Sequence, residues 1–79
     1  MKARVFVSLK EGIFDPQGST IQQALGGLGF SGVSRVKAGK YFEVELDPAP
    51  STDVTHLLTR MCDQLLANPT IEQYRIELE

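Results

Sequence analysis

The order of predicted elements makes this chain an α+β protein, a β-α-β-β-α-β two-layer sandwich with an antiparallel sheet and two helices on one face. Three observations predict that class. Stretches with a two-residue apolar repeat recur along the chain, two stretches with a helical repeat separate them, and Gly and Pro mark the turns between. We therefore expect residues 1–79 to form a single domain.

The first strand is predicted over residues 3–10, ARVFVSLK, where small and β-branched residues alternate with Arg, Phe, Ser and Lys. The segment FDPQGSTIQQAL then leads into a helix. Its apolar residues follow the spacing i, i+3, i+4 and i+7, at Ile21, Ala24, Leu25 and Leu28. Gly29 is expected to close this helix in the left-handed conformation.

The middle of the chain, GVSRVKAGKYFEVELD, is typical of a hairpin. We expect a strand over residues 33–37, a turn at Ala38 and Gly39, and a second strand over residues 42–47. In that second strand apolar residues at Phe42 and alternate positions after it are separated by acidic ones. The prolines of PAPST end it, since proline cannot donate to a strand ladder.

Ser51 or Thr52 is expected to cap the second helix. The apolar stripe of this helix is broad enough to lie across a sheet, and its members are Val54, Leu57, Leu58, Met61, Cys62, Leu65 and Leu66. Asn68 and Pro69 should end the helix, because a residue before proline avoids helical angles. A last strand follows over residues 71–78, IEQYRIEL.

The second face of the sheet would carry Phe6, and Tyr41 as well, among charged neighbours. A partly apolar bare face with exposed edges favours pairing with a second copy, although single exposed aromatics are also common on surfaces. A chain of 79 residues buries only about 60% of its unfolded surface. With one cysteine, Cys62, no disulfide within the chain can add stability. We expect a homo-oligomer, through the sheet face or edges.

The charge balance argues against nucleic acid as a partner. Eight Lys and Arg against ten Asp and Glu give a net charge of −2, without a long basic cluster. The longest apolar runs are far short of the ~20 residues that span a bilayer, and the N-terminus does not resemble a signal peptide. The expectation is a cytoplasmic protein that binds no membrane.

The segment DPQG admits two interpretations. Asp15 can cap a helix with Pro16 at its first position, and Gly18 can offer a second start. A phosphate loop would need more glycines and a following Lys, which this segment lacks. Capping is the favoured interpretation.

Other polar residues give weak signals for chemistry. Gly39 suits a positive φ in the hairpin turn, and Lys40 is either a solvated charge or a contact to an anion. His56 has no ligand partner at metal-binding spacing, and Cys62 lies on the apolar helix face. Acidic residues lie on exposed alternating positions, where carboxylates are not forced into acid and base roles. The residues alone indicate a small domain without catalytic or metal-binding residues, which acts by binding.

Three blocks of the sequence resemble the PurS family, the small subunit of phosphoribosylformylglycinamidine (FGAM) synthase. They are VSLKEGIFDPQGSTIQQALGGLGF, VKAGKYFEVEL and MCDQLLANPTIEQYRIEL, and together they cover nearly the whole chain. The resemblance implies a non-catalytic subunit, a dimer or tetramer of itself. It implies a bridge between a synthetase subunit that uses ATP and magnesium and a glutaminase subunit, with a part in ammonia transfer for purine biosynthesis. No cofactor is expected in this chain.

The motifs that carry the resemblance contain the candidate structural or interface residues. These are Asp15, Pro16, Gln17, Gly18, Gly39, Lys40, Asn68, Pro69 and Glu72. Two alternatives remain at this point, because a fold does not decide a function. One is a stand-alone regulatory domain that binds a small molecule, and the other is an independent small enzyme.

Overall fold

The structure, a computed structural model, describes residues 1–79 and confirms the α+β class with an antiparallel sheet and two helices. The elements in chain order are β1 (Lys2–Leu9), α1 (Pro16–Gly27), β2 (Gly39–Glu45), α2 (Val54–Met61) and β3 (Glu72–Leu78). A π-helical turn over Cys62–Leu66 extends α2. The sheet order is β2-β1-β3, and both outer strands run antiparallel to β1.

The alternation predicted for the first strand is confirmed. Ala3, Val5 and Val7 are buried on one face of β1, which suits a central strand with a partner on each side. Val5 lies opposite Phe42 of β2 and Ile76 of β3. These cross-strand apolar neighbours make the sheet half of the core.

The second helix supplies the other half of the core. Cys62 and Ala67 are buried against Val5 and Val7, and Leu58 is fully buried on the same helix. Asp53 is the capping residue, because its Oδ1 accepts from the His56 backbone N–H at 3.1 Å. The prediction that Ser51 or Thr52 would cap α2 was therefore wrong, and both precede the cap.

The strand expected over residues 33–37 is absent, so the sheet has three strands rather than four. Side chains from α1 and from Asp15 occupy the backbone groups that a strand would offer to a ladder. The Gln22 Nε2 donates to the carbonyls of Val33 (3.1 Å) and Ser34 (3.0 Å), and the Ala38 N–H donates to Asp15. Such local bonds compete with sheet formation. The segment therefore lies along α1.

Helix α1 ends as the sequence predicts, with Gly29 at a φ of +96°. The Phe30 N–H donates to the Leu25 carbonyl and the Gly29 N–H to that of Gly26, the two bonds of a Schellman ending. Only Gly18 of this helix is buried. The predicted α+β arrangement of two helices and an antiparallel sheet is confirmed, and most of the α1 side chains remain exposed within one chain. The hydrogen bonds of α1 go to the segment before β2.

The resulting molecule is long and thin, with principal extents of 53 × 25 × 15 Å. Its radius of gyration is 16.2 Å, whereas a compact chain of this length would have about 12 Å. Exposed apolar side chains lie on and beside α1, and we call this surface the α1 end: Phe14, Ile21, Leu28 and Phe30. Leu28 is 74% exposed. A single copy therefore does not complete the second layer of the sandwich.

Candidate functional site

Most of the predicted site residues meet at one place, which we call the junction. It consists of residues 15–18 at the start of α1, residues 38–40 at the start of β2, and residues 68–72 before β3. The three segments border a shallow cleft of about 300 Å³ beside β1. The junction is thus the point where both long connections return to the sheet.

Asp15 holds two of the three segments together. Its Oδ1 accepts from the Gly18 N–H at 2.9 Å, and its Oδ2 accepts from the Ala38 N–H at 2.9 Å. These bonds, the one from Gly18 foremost, stabilise the charged form and hold the pKa of Asp15 below its ordinary value of 3.8. Pro16 occupies the first helical position. The capping interpretation is confirmed, with a second bond across the junction.

Two glycines let backbones approach closely at the junction. A Cβ on Gly18 would run into the Val36 carbonyl oxygen, and one on Gly39 would lie 2.5 Å from the Val7 oxygen. The prediction of a positive φ at Gly39 was wrong, because only Gly12, Gly29 and Gly32 have positive φ. Gly39 is instead the first residue of β2, opposite Ser8. Its lack of a side chain lets the backbones of β2 and β1 approach each other closely.

Lys40 and Glu72 form the charged side of the cleft. The Lys40 Nζ lies 3.5 Å from the Glu72 Oε2 and 3.5 Å from the Leu66 carbonyl oxygen. The Glu72 side chain is only 16% exposed, and its Oε1 also accepts from the Asn68 N–H at 2.7 Å. Glu72 therefore ties the turn before β3 to β2 through Lys40.

The remaining predicted residues lie around this pair. Pro16 and Gln17 line the cleft, and Pro69 lies behind it, where its carbonyl accepts from the Lys10 Nζ at 2.7 Å. Asn68 closes its own turn by accepting from the Thr70 N–H at 3.1 Å. Each hydrogen bond or ion pair at the junction holds one chain segment to another. The junction can therefore hold a binding surface in a fixed orientation.

The cysteine and the histidine of the chain both lie outside the junction. Cys62 is buried in the core, as predicted, and burial raises the pKa of its thiol above the ordinary value, with the charge of Asp63 adding to the effect. His56 is exposed on α2. No group of three or more His, Cys, Asp or Glu is placed to hold a metal ion. No helix has both the length and the apolar character that crossing a membrane requires.

The second sheet face carries the aromatic pair expected from the alternation. The Phe6 and Tyr41 ring centroids are 5.0 Å apart, and the Arg75 guanidinium lies 4.4 Å from the Phe6 centroid. Cation and ring stabilise each other on this open face.

Sequence reasoning missed an ion cluster and the π-helical turn. The Glu11 carboxylate lies 3.3 Å from Lys37 and 3.6 Å from Arg35, which are far from it in sequence. Hydrogen bonding to Lys37 and the two positive charges hold the pKa of Glu11 below its ordinary value. Charges this far apart along the chain leave no local pattern to detect.

These features define a class of protein: a small α+β chain whose candidate site residues hold three segments around a cleft and whose first helix is largely exposed. A family model described as "PurS: Phosphoribosylformylglycinamidine (FGAM) synthase" matches residues 2–79. The chain belongs to the PurS family, the small subunit of FGAM synthase in purine biosynthesis.

Curated relatives and solved structures agree with that assignment. The PurS subunit of Bacillus subtilis is 45% identical over 78 residues, 99% of this chain and 92% of the relative. That of Methanocaldococcus jannaschii is 40% identical over 78 residues, with 99% and 94% covered. A B. subtilis PurS crystal structure matches with a TM-score of 0.92 at 45% identity, over 99% of this chain and 96% of the other. A chain from "Structure of PurLQS from Thermotoga maritima" matches at 0.84 and 26% identity, over 96% and 93%.

Proposed function

We propose that this chain is a non-catalytic assembly subunit, which forms a homo-oligomer and joins the synthetase and glutaminase subunits of FGAM synthase. The observation that carries the proposal is the uncovered apolar surface of the α1 end. A chain that acted alone would fold this helix back onto its own sheet, as two-layer α+β proteins do. In this chain the apolar surface of α1 stays uncovered in a single copy.

The area of that surface fits a second copy. The chain exposes 5666 Å², while a compact monomer of 8.7 kDa would expose about 4,700 Å². The excess of about 900 Å² is close to the ~800 Å² that each partner contributes to a standard interface. Apolar residues at that end are its natural centre, namely Phe14, Ile21, Leu28 and Phe30.

The unpaired segment of residues 31–38 gives the second copy a further point of attachment. Its β-like sequence has no ladder partner in its own chain, and β2 and β3 both have an open outer edge. Edge strands invite pairing with another chain. Pairing between copies, through the backbone groups that Gln22 and Asp15 leave free, would supply the strand that the sequence predicts at residues 33–37.

The junction is the proposed structural support for contacts with the larger subunits. The candidate residues at its rim are Pro16, Gln17, Lys40, Asn68 and Pro69, with Asp15, Gly18, Gly39 and Glu72 beneath or between them. In this proposal ATP and magnesium are used by the synthetase subunit, this chain holds no cofactor, and the assembled subunits pass ammonia between their active sites in the cytoplasm. Family membership does not favour the alternative of a stand-alone regulatory domain.

Light scattering coupled to size-exclusion chromatography tests both parts of the proposal. The chain alone should elute as a dimer or tetramer, and with the synthetase and glutaminase subunits, glutamine, ATP and magnesium it should move into a larger species. Glutamine-dependent turnover should require all three chains. A monomer that leaves both subunits unchanged would refute the proposal.

A further inference from the structure

The end of the second helix presents a leucine to solvent in an unusual way. From its spacing, Leu65 belongs to the apolar stripe of α2, seven residues after Leu58 and three after Cys62. Both of those residues are fully buried, yet Leu65 is 84% exposed, more than any other large apolar side chain of the protein. Something in the backbone removes it from the stripe.

The cause is the π-helical turn over Cys62–Leu66. The Ala67 N–H donates to the Cys62 carbonyl at 2.9 Å, a bond across five residues instead of four. The turn therefore contains one additional residue. Leu66 takes the inward place that Leu65 would fill in a regular α-helix, and it contacts the core. Isolated π-helical turns are rare and are frequent at functional sites.

The turn is held in place from two sides. The Tyr74 O–H donates to the Asp63 Oδ1 at 2.8 Å, which fixes the start of the turn to β3. The Lys40 Nζ, 3.5 Å from the Leu66 carbonyl, holds its end to the junction. Leu65 is thus displayed on a fixed backbone, and a binding residue that is ordered beforehand loses less entropy on association.

We propose that Leu65 is an anchor for a different subunit of the synthase, one that offers an apolar pocket with carboxylates at its edge. This inference rests on the proposed assembly role. Charge indicates the occupant: Arg60, five residues before Leu65, has no carboxylate within 4.0 Å in its own chain. The one acid in the turn, Asp63, already accepts from Tyr74.

The anatomy of the site favours a different subunit over a second copy. A homo-oligomer interface is broad and apolar, and the α1 end provides such a surface. Leu65 instead follows two exposed polar residues of the same turn, Asp63 and Gln64. A single exposed leucine is better suited to one apolar pocket of a partner than to the broad apolar surface of a homo-oligomer.

The test is Leu65→Gln in the full chain, with the double variant Gln64→Leu/Leu65→Gln as a control of identical composition. Affinity for the synthetase and glutaminase subunits is measured by titration, and the homo-oligomer by light scattering. Both variants should keep the wild-type oligomer and melting temperature, because Leu65 makes little contact in the chain. Both should bind the larger subunits at least tenfold more weakly.

Three outcomes would overturn the inference. Wild-type affinity in Leu65→Gln would show that no subunit buries this leucine. Recovery of affinity in the double variant would show that general apolarity matters and the display by the turn does not. Loss of the homo-oligomer would assign Leu65 to a second copy. A wild-type chain that binds no other subunit would instead refute the proposed assembly function itself.

Discussion

If the chain forms the proposed homo-oligomer, replacing Leu28 with Gln should weaken it without unfolding the chain. Leu28 caps the C-terminal end of α1 and is 74% exposed in one copy, so the folded monomer gains little from it. Complete burial of a leucine is worth about 1.5 to 3 kcal/mol. Covering the exposed three quarters in a second copy would therefore contribute about 1 to 2 kcal/mol per chain.

In a two-fold dimer the same residue is buried twice, so the loss is about 2 to 4 kcal/mol for the complex. That loss corresponds to a roughly 30-fold to 700-fold rise in the dimer dissociation constant. Sedimentation velocity over a concentration series measures this constant directly, and circular dichroism checks that the helix content is unchanged.

Leu65→Gln is the matched control, because it makes the same chemical change at another highly exposed leucine, in the π-helical turn that extends α2. It should leave the dimer dissociation constant within twofold of the wild type. An unchanged constant in Leu28→Gln would mean that the α1 end is not the surface between copies. Equal weakening by both variants would point to a general effect of lost apolarity.

Three further predictions concern the folded chain. Leu58→Ala should cost about 2 to 5 kcal/mol in urea unfolding, since the side chain is fully buried; a loss below 1 kcal/mol would contradict that placement. Asp15→Asn should lower the melting temperature most above pH 3.8. The pKa of Asp15 is lower in the folded chain than in the unfolded one, so the carboxylate stabilises the fold above pH 3.8, and this stabilisation is lost as the pH falls through the folded pKa. A difference in melting temperature between variant and wild type that does not change with pH would contradict the role of Asp15 in two hydrogen bonds. Gly39→Ala should cost about 1 to 3 kcal/mol, because its Cβ would lie 2.5 Å from the Val7 oxygen; unchanged stability would refute the close approach.

The strands that could be predicted are those whose alternation is strict. β1 alternates over its whole length, and its buried face is the one expected from Ala3, Val5 and Val7. The strand at residues 33–37 failed because only Val33 and Val36 are apolar there, and because Gln22 and Asp15 satisfy backbone groups that a ladder needs. Those bonds depend on where α1 lies.

The candidate site was predicted in its parts but not in its arrangement. The Asp-Pro pair indicated the cap, a contact within three residues. The second bond of Asp15, to Ala38, joins residues 23 apart, and the Lys40 to Glu72 pair joins residues 32 apart. Sequence spacing carries no information on such contacts. Gly39 was singled out for a turn, whereas its importance lies in the approach of β1.

The π-helical turn shows a further limit of periodicity. Leu65 and Leu66 both fit the apolar stripe of an α-helix, so the sequence gives no reason to place one inside and the other outside. The inward position of Leu66 goes together with the hydrogen bond between Tyr74 and Asp63 and with the packing of Ala67 against Val5 and Val7. Tertiary contacts therefore decide which leucine a partner can reach.

A subunit that joins other chains needs at least two surfaces that do not overlap, and the proposed assembly role assigns them to the α1 end and to the π-helical turn. Leu28 and Leu65 are leucines of similar exposure, but one belongs to the helix that leaves the sheet and the other to the helix that packs on it. If the α1 end contacts a second copy, the π-helical turn remains open for a different chain. Because each variant should weaken one contact and spare the other, Leu28→Gln and Leu65→Gln measured in both assays separate the two surfaces. A pair of variants that always lose both contacts together would mean that assembly is a single step, in which the larger subunits recognise only the completed oligomer.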